Sequence, residues 1–333
     1  VSAKIAAATG AGLLAGALLD AALGDPRRWH PVAGYGRAAG ALERRMYAPT
    51  TAAGVRYVAV AAGVPTAVAL LASAATRRRP VARAVLVAAT TWTVLGSTSL
   101  RREGTAMAKA LDSGDLAAAR ERLPHLCGRD PSALDASELA RATVESVAEN
   151  TSDAAVGALF WGAVAGLPGL VGYRAMNTLD AMVGHRSARY ARFGTAAARL
   201  DDAANLVPAR ITAALTVAVA PLVGGSRSRA LWTWLRDGRR HPSPNSGQCE
   251  AAMAGALGVR LGGRNVYAGR VEDRPQLGRG RASEARDVRR AVRLSALVSA
   301  GATALAIAAA SSRRSGTRSG PVAPPGVQDR GKP

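Results

Sequence analysis

The chain has 333 residues, of which 48% are hydrophobic but only 4% aromatic, and it carries a formal charge of +21. The cations are nearly all arginine, since the only lysines are Lys4, Lys109 and Lys332. This excess does not mark a nucleic-acid binder, because there is no zinc-finger spacing, no RNP aromatic motif and little aromatic surface for base stacking. The arginines cluster between apolar segments, where the positive-inside rule of membrane proteins would place them.

The first apolar run, Ile5 to Leu23, is interrupted only by Asp20. Behind Lys4 it has the outline of a signal peptide. It is followed by Gly24-Asp25-Pro26, not a clean cleavage site, and further apolar runs come later, so it reads as a retained first helix. Directly after it, Asp20-Ala-Ala-Leu-Gly24-Asp25-Pro26 leads to Trp29-His30-Pro31. Asp-Pro and His-Pro make rigid turns, because a residue before proline is held out of the helical region. His30 suits acid–base work, and the alternative is a merely structural loop histidine.

Tyr57 to Ala75 and Val81 to Leu100 are separated by Arg77-Arg78-Arg79-Pro80 and read as a helical hairpin. The region 101–152 reads as polar helices. Asp115-Leu-Ala-Ala-Ala-Arg-Glu-Arg-Leu is amphipathic, and Asp135-Ala-Ser-Glu138 opens the next helix with a capping pattern. That helix runs into Glu145-Ser-Val-Ala-Glu149-Asn150-Thr-Ser-Asp153, the most informative stretch of the chain. Glu145, Glu149 and Asp153 are spaced i, i+4, i+8 and share a helix face. Acids at the mouth of a membrane segment are costly unless they hold a cation or substrate. The alternative is a solvated helix end with Asp153 near an N-cap.

The fourth apolar segment, Ala154 to Tyr173, contains Gly157, Gly162, Gly166, Pro168, Gly169 and Gly172. Two readings stay open: a broken or re-entrant helix lining a cavity, or close helix packing through small residues. Next come Tyr173-Arg174-Ala-Met-Asn177-Thr-Leu-Asp180 and Arg199-Leu-Asp201-Asp202-Ala-Ala-Asn205-Leu-Val-Pro208-Ala-Arg210. Asn177 with Asp180, and Asp202 with Asn205, have i, i+3 spacing. Carboxylate and amide oxygens together suit a hard cation such as Mg²⁺; ordinary capping with a salt bridge to Arg199 is the alternative. Leu206 to Val223 is the fifth apolar segment. The loop Arg239-Arg240-His241-Pro-Ser243-Pro-Asn245-Ser246-Gly247-Gln-Cys249-Glu250 then feeds a helix from Glu250 to Leu257. Free amides at such a helix start favour anions such as phosphate. Ala291 to Ala310 is the sixth apolar segment, and the tail 311–333 has the composition of a disordered basic segment.

About 20 apolar residues cross a bilayer, so the expected fold is all-α. It is a polytopic membrane protein with five to six hydrophobic segments in one domain over 1–310, with polar loops at 101–152 and 225–290. Cys127 and Cys249 fit neither a metal spacing nor a disulfide framework. A P-loop, a Gly-x-Ser-x-Gly elbow and His-Glu-x-x-His are all absent.

The motifs Leu18-Leu-Asp20-Ala-Ala-Leu-Gly24-Asp25-Pro26 with His30-Pro31, the 145–153 block, 173–180, 201–210 and His241-Pro-Ser-Pro-Asn245-Ser-Gly247 occur in this order. Over about residues 12 to 300 the chain resembles the CobD/CbiB family of cobalamin-biosynthesis membrane proteins, adenosylcobinamide-phosphate synthases. The resemblance implies an inner-membrane enzyme. It would join (R)-1-amino-2-propanol, or its O-phosphate, to the propionate carboxyl of adenosylcobyric acid, with ATP and Mg²⁺. A carboxylate condenses with an amine only when activated, for instance as an acyl phosphate. That needs a cation on the phosphates, cationic side chains for the anions and a base for the amine.

Within that reading, Glu149, Asn150, Asp153, Asp201 and Asp202 are the candidates for Mg²⁺–phosphate. Arg174, Arg210, Ser243, Asn245 and Ser246 are the candidates for phosphate. Asp25, His30, Asn177 and Asp180 are substrate candidates, and Glu145, Glu149 and His241 are catalytic candidates. The expected partners are the corrinoid, aminopropanol or its phosphate, the lipid bilayer and other cobalamin-assembly enzymes, with no nucleic acid. Three other readings are a scaffold or carrier for corrinoids, a membrane prenyl- or phospho-transferase with paired acidic motifs, and a transporter.

Overall fold

A computed structural model describes residues 2–26, 29–185, 187–267 and 270–312. The basic tail expected at 311–333 therefore lies outside the described residues beyond Ser312. The helices, in chain order, are α1 (Ser2–Leu23), α2 (Pro31–Met46), α3 (Thr51–Ala75), α4 (Pro80–Val94), α5 (Ser97–Asp112), α6 (Leu116–Arg122) and α7 (Ala136–Thr151). They continue with α8 (Gly157–Ala165), α9 (Leu167–Leu179), α10 (Thr195–Val219), α11 (Arg227–Asp237), α12 (Ser246–Leu257) and α13 (Ala285–Ser312).

Five stretches are long and apolar enough to cross a membrane: Ala3–Leu23, Thr51–Ala75, Pro80–Asp112, Thr195–Val223 and Ala285–Ser312. Their outward faces carry Leu14, Leu18, Val64, Val68, Leu71, Val81 and Leu305 exposed. A run of exposed aliphatic side chains is at home against lipid rather than water, and the molecule is a multi-pass membrane protein. α1 and α4 pack most closely. A Cβ at Gly12 would fall 2.7 Å from the Cβ of Val87, and one at Gly16 would fall 2.4 Å from that of Thr91. Small residues four apart allow this approach, as is common between helices in lipid.

The Pro80–Asp112 stretch is interrupted at Leu95–Gly96, where α4 gives way to α5. The fourth apolar segment is broken as well. Gly166 has φ 66° and ψ −140°, a backbone that suits glycine, so α8 ends and α9 begins at Pro168 in its first turn. The break gives two short helices packed on each other, with no continuous fourth span. A Cβ at Gly169 would fall 2.0 Å from the carbonyl oxygen of Trp161.

Most starts and caps follow from the sequence. Asp135 accepts from the amide of Glu138 at 2.8 Å and Glu138 accepts in return from that of Asp135 at 3.1 Å, a full capping box. Asp115 caps α6 through the amide of Ala118. Two starts differ from expectation. α10 begins at Thr195, because Ala-rich sequence carries the helix well before the apolar run. Asp201, Asp202 and Asn205 therefore sit inside the helix instead of at its entrance. α12 begins at Ser246, not at Glu250, since Asn245 already occupies the N-cap position.

The polar loop 225–290 also departs from an all-helical reading. It holds an antiparallel hairpin, β1 (Leu261–Tyr267) and β2 (Arg270–Leu277), with a bulge between Leu261 and Gly263. Gly262, Gly263 and Pro275 leave helix formers scarce there, and the sequence LGGRNVY lacks the period-two pattern that announces a strand. Asp237, buried at the end of α11, holds the hairpin base by accepting from the Gly278 amide at 2.9 Å and from Arg236 at 2.6 Å.

Hydrogen bonds from Arg236, together with the Gly278 amide, hold the Asp237 carboxyl down at about 2. A depressed folded pKa contributes stability above the ordinary carboxylate range and loses it as pH falls through the folded value. The expected result is an acid limb between about pH 4 and pH 2 worth about 2 kcal/mol. Thermal unfolding of Asp237→Asn against pH should flatten that limb. An unchanged limb would show that other carboxylates set it.

Two buried cores share one rod. Around α7, α12 and the polar end of α13 lie Val144, Val147, Met253, Val288 and Leu294. Around α1, α8, α9 and the rest of α13 lie Leu13, Leu159, Leu170, Val298 and Ala306. The candidate site lies where these cores meet.

Candidate functional site

Thr151 does not end its helix. A π-helical turn, Ser152–Val156, carries α7 directly into α8. Asp153 is therefore not near an N-cap, and the helix passes through it. A π turn inserts one extra residue into the helical register and is frequent at functional sites. Here it swings Asp153 off the line of Glu145 and Glu149. Thr151 is pinned at the start of the turn by its hydroxyl bond to Ser295 of α13 at 2.7 Å.

The three acids of the block thus serve three environments. Glu145 is buried, lies 2.5 Å from Arg129 and 3.5 Å from Arg141, and accepts the Gly262 amide at 2.7 Å. Glu149 accepts the Ser246 hydroxyl at 2.7 Å, joining α7 to the 241–247 loop. Asp153 lies within electrostatic reach of Asp201, Glu149, Arg174 and Asp180.

Arg174 of α9 organises the inner cluster. Its guanidinium bonds the carbonyls of Val94 and Ala154, at the α4/α5 interruption and inside the π turn, and donates to Asn177 Oδ1 at 3.1 Å. Asn177 passes the contact on, donating to Asp201 Oδ1 at 3.3 Å. Asn205 donates to the other oxygen of Asp201 at 3.0 Å. Tyr173 donates to Asn205 Oδ1 at 2.9 Å, and its hydroxyl lies 3.1 Å from the carbonyl of Asp153. A Cβ at Gly157 would fall 2.1 Å from that hydroxyl, so glycine there is what lets α8 and α9 seat Tyr173. On α10 the amide pairs with Asp201 four residues back, and not with Asp202 as the i, i+3 spacing suggested. Asp180, in a second π turn (Asp180–Gly184), is pushed up to about 7 by burial and by Asp201, Asp202 and Glu149.

The 241–247 loop closes one side. Arg210 donates to Asn245 Oδ1 at 3.2 Å, and Asn245 Nδ2 donates to the carbonyl of Asp202 at 2.8 Å. Ser243 Oγ accepts the amides of Asn245 and Ser246. Those two amides at the start of α12 are therefore already bonded rather than free for an anion. His241 Nδ1 accepts the Ser243 amide at 3.0 Å, and Arg274 Nη1 faces its Nε2 at 3.2 Å. Burial, then the neighbouring Arg274 charge, hold the His241 imidazole below its usual pKa.

Glu149, Asp153, Arg174, Asn177, Asp180, Asp201, Asp202, Arg210, Ser243, Asn245 and Ser246 thus form one continuous neighbourhood. Asp25 adjoins it, acting on Arg174 electrostatically, with one buried oxygen unpartnered. Glu145 and His241 belong to a second nest beside it. His30 caps α2 through the Val32 amide at 3.2 Å. Asn150 donates back to Ser146 on its own helix at 2.9 Å.

Sequence reasoning passed over several participants. Glu250 is 3% exposed, 3.9 Å from His241, and raised well above the usual carboxylate range by burial and then by Glu145 and Glu149. Arg129 and Arg274 supply countercharge there. Tyr173 stood inside a quoted motif, but nothing in its spacing singled it out. A buried acid at the fifth position of α12 could have been suspected from the helix being otherwise small and apolar. Among the described residues, no three His, Cys, Asp or Glu side chains converge closely enough to hold a metal ion unaided.

A family model described as CobD/Cbib protein matches residues 13–295. The chain is 54% identical over 287 residues to the cobalamin biosynthesis protein CobD of Mycobacterium tuberculosis H37Rv, covering 85% of this chain and 90% of that protein. It is 45% identical over 275 residues to the CobD protein of Geobacter metallireducens, covering 81% and 86%. With the CobD protein of Chromobacterium violaceum the identity is 44% over 284 residues, covering 83% and 89%. No solved structure gives a significant match. The chain belongs to the CobD/CbiB family of cobalamin-biosynthesis membrane proteins.

Proposed function

We propose that the chain catalyses ATP-dependent amide formation, joining (R)-1-amino-2-propanol or its O-phosphate to the propionate carboxyl of adenosylcobyric acid. The observation that carries this reading is the excess of acid at one point. Glu149, Asp153, Asp180, Asp201 and Asp202 form one electrostatically linked set, with Arg174 the cation beside Asp153. A neighbourhood so charged, with Arg174 Nε buried and without a hydrogen-bond partner among the described residues, fits a cationic or mixed polar occupant better than an empty core.

Mg²⁺ fits this donor set. It takes one or two protein carboxylates and completes its shell with water and phosphate, so three converging acids are not required. Asp153, Asp201 and Asp202, with the Asn150 carbonyl, would hold it, and it would supply neutralisation of phosphate charge. The other groups do the positioning. Arg174, held through both terminal nitrogens, and Arg210, held through one, present fixed positive charge to anionic substrate groups. The 241–247 loop braces Arg210 through Asn245. Glu149 meets both the loop and the cluster and has one partner, so it is the group placed to take the ammonium proton. Glu145 is less suited to that role, since Arg129, Arg141 and the Gly262 amide already engage both of its oxygens. His241 has its Nδ1 occupied by the Ser243 amide and its Nε2 facing Arg274.

The test is turnover by the purified protein in detergent with adenosylcobyric acid, aminopropanol phosphate or aminopropanol, and Mg-ATP, followed by product mass. Product that appears only with ATP supports the ligase. Bound corrinoid without product would favour a carrier that needs a separate catalytic partner.

A further inference from the structure

A cavity of about 850 Å³ runs along the membrane-spanning α3, between it and α9 and the start of α10. Its α3 wall is one helix face, from Val55 through Ala59, Gly63 and Ala67 to Leu70. Val55 and Leu70 lie about 22 Å apart along the helix axis. Gly169, Gly172 and Met176 of α9 belong to the opposite wall. Small side chains hollow the space. Packing does not demand glycine at position 63, since a Cβ there would meet nothing within 4 Å beyond its own helix backbone. On the rim, Val55, Leu70 and Leu200 are exposed, so the cavity opens sideways toward lipid.

The two ends differ. A Cβ at Gly54 would fall 1.9 Å from the carbonyl oxygen of Phe193, just ahead of α10, and the Tyr57 and Phe193 rings lie 5.2 Å apart. The starts of α3 and α10 are therefore side by side. Val55 and Arg199 each sit just inside their spans, near one face of the membrane. The far end, at Leu70, Ala165 and Pro168, is apolar, and among the described residues Arg199 is the one charged side chain on the lining. Thr66 donates to the Ala62 carbonyl at 2.7 Å, Trp161 to the Ala204 carbonyl at 3.0 Å and Tyr173 to Asn205 at 2.9 Å. Arg199 is exposed, makes no hydrogen bond or ion pair among the described residues, and stands within electrostatic reach of Asp202.

A lining whose other polar groups are already engaged rejects a sugar, a base or a peptide, whose own polar groups would be buried unpaired. It accepts a hydrocarbon chain. Half the hydrocarbon thickness of a bilayer is about 15 Å, so one extended acyl chain from one leaflet occupies most of the length. A cation at the interfacial end alone matches a molecule with one anionic and one apolar end, in the orientation a bilayer lipid has. We propose that this cavity binds a glycerophospholipid, with one acyl chain along α3 and its phosphate on Arg199. The inference stands independently of the amide-forming reaction. The occupant would abut the candidate site, because Tyr173 and Arg199 line the cavity while reaching Asn205 and Asp202.

The test titrates the full chain in lipid-free detergent with phosphatidylglycerol carrying a dibrominated acyl chain, which quenches tryptophan on contact. Trp161 lines the cavity, so the wild type should show saturable quenching, most of which Trp161→Phe loses. Gly63→Leu puts a side chain midway along the cavity and should weaken binding about tenfold or more. Ala67→Leu is the second filler should Gly63→Leu not fold. Arg199→Gln should weaken binding about tenfold. Val68→Leu, exposed on α3 but outside the cavity, should bind as the wild type does. Brominated diacylglycerol, which lacks the phosphate, should bind the wild type about tenfold more weakly than the phospholipid and should not sense Arg199→Gln. Quenching that does not saturate and is alike in every variant shows bulk lipid contact only and overturns the proposal. Folded filler variants with wild-type affinity overturn it too, as does equal affinity for phospholipid and diacylglycerol. A wild-type dimer that binds no lipid and that Gly63→Leu splits into monomers assigns the cavity to a second copy of the chain instead.

Discussion

Glu149→Gln is expected to lower amide-forming turnover by about 10²-fold or more, with little change in the unfolding temperature. Removing a positioned base or anionic anchor has effects of this size. The substitution is nearly isosteric, and an amide oxygen can still accept the Ser246 hydroxyl now 2.7 Å away. What disappears is the charge, and with it the ability to take a proton at the junction of loop and cluster. Ser246→Ala provides the comparison. It keeps the charge and removes the tether, and its effect should stay near the ten- to hundredfold range of supporting contacts. A Glu149→Gln protein that keeps more than about a tenth of its turnover would move the base elsewhere, with Glu250 the next group to replace.

Arg129→Ala should be the most destabilising single change, at about 3–5 kcal/mol in unfolding measurements in detergent. Arg129 is 4% exposed and Glu145 6% exposed, with 2.5 Å between them. Deleting the guanidinium leaves a buried carboxylate that keeps its ion pair to Arg141, at 3.5 Å, but has lost the closer one. The loss extends to the hairpin. Glu145 holds the Gly262 amide, while Arg141 bonds the Gly262 and Arg264 carbonyls and Asn265. The double change Arg129→Met with Glu145→Leu removes both charges and should recover most of the stability, since a buried pair is often replaceable by well-packed apolar groups. If the double variant is no more stable than Arg129→Ala, the defect is one of packing and not of unpaired charge.

Much of this molecule could be read from its residues, and the limits have physical causes. The apolar segments were legible because lipid imposes a length that sequence must meet. The cap of α7 was legible because the capping groups act within three or four residues. The break at Gly166 was legible as one of two options, since glycine at that density serves either bending or close packing, and only tertiary contacts decide. The hairpin was hidden because β1 and β2 are set by pairing across the sheet and by Arg141 from another element. Within the site, motif positions were legible but partnerships were not. Asn205 turns back to Asp201 instead of pairing with Asp202, and the π turn shifts Asp153 away from its two companions. A one-residue helical insertion leaves no mark in composition, yet it decides which acids face one another. Glu250 escaped notice because its importance lies in burial, which the local sequence does not state.

The final helix has a consequence for assembly. Val288, Ala291 and Leu294 of α13 belong to the core around α7 and α12, whereas Val298, Ala302, Ala306 and Ala310 belong to the core around α1, α8 and α9. Chains are made from the N-terminus, and earlier parts begin to fold first. The first four spans can therefore enter the membrane, and α12 can form, while both cores still lack a wall. Thr151 also lacks its partner Ser295 until then, so the π turn that aims Asp153 is left to its contacts with Arg174 and Tyr173. Completion of the candidate site thus awaits the 28-residue α13, and a nascent chain stalled before it would be inserted in the membrane with that site unfinished.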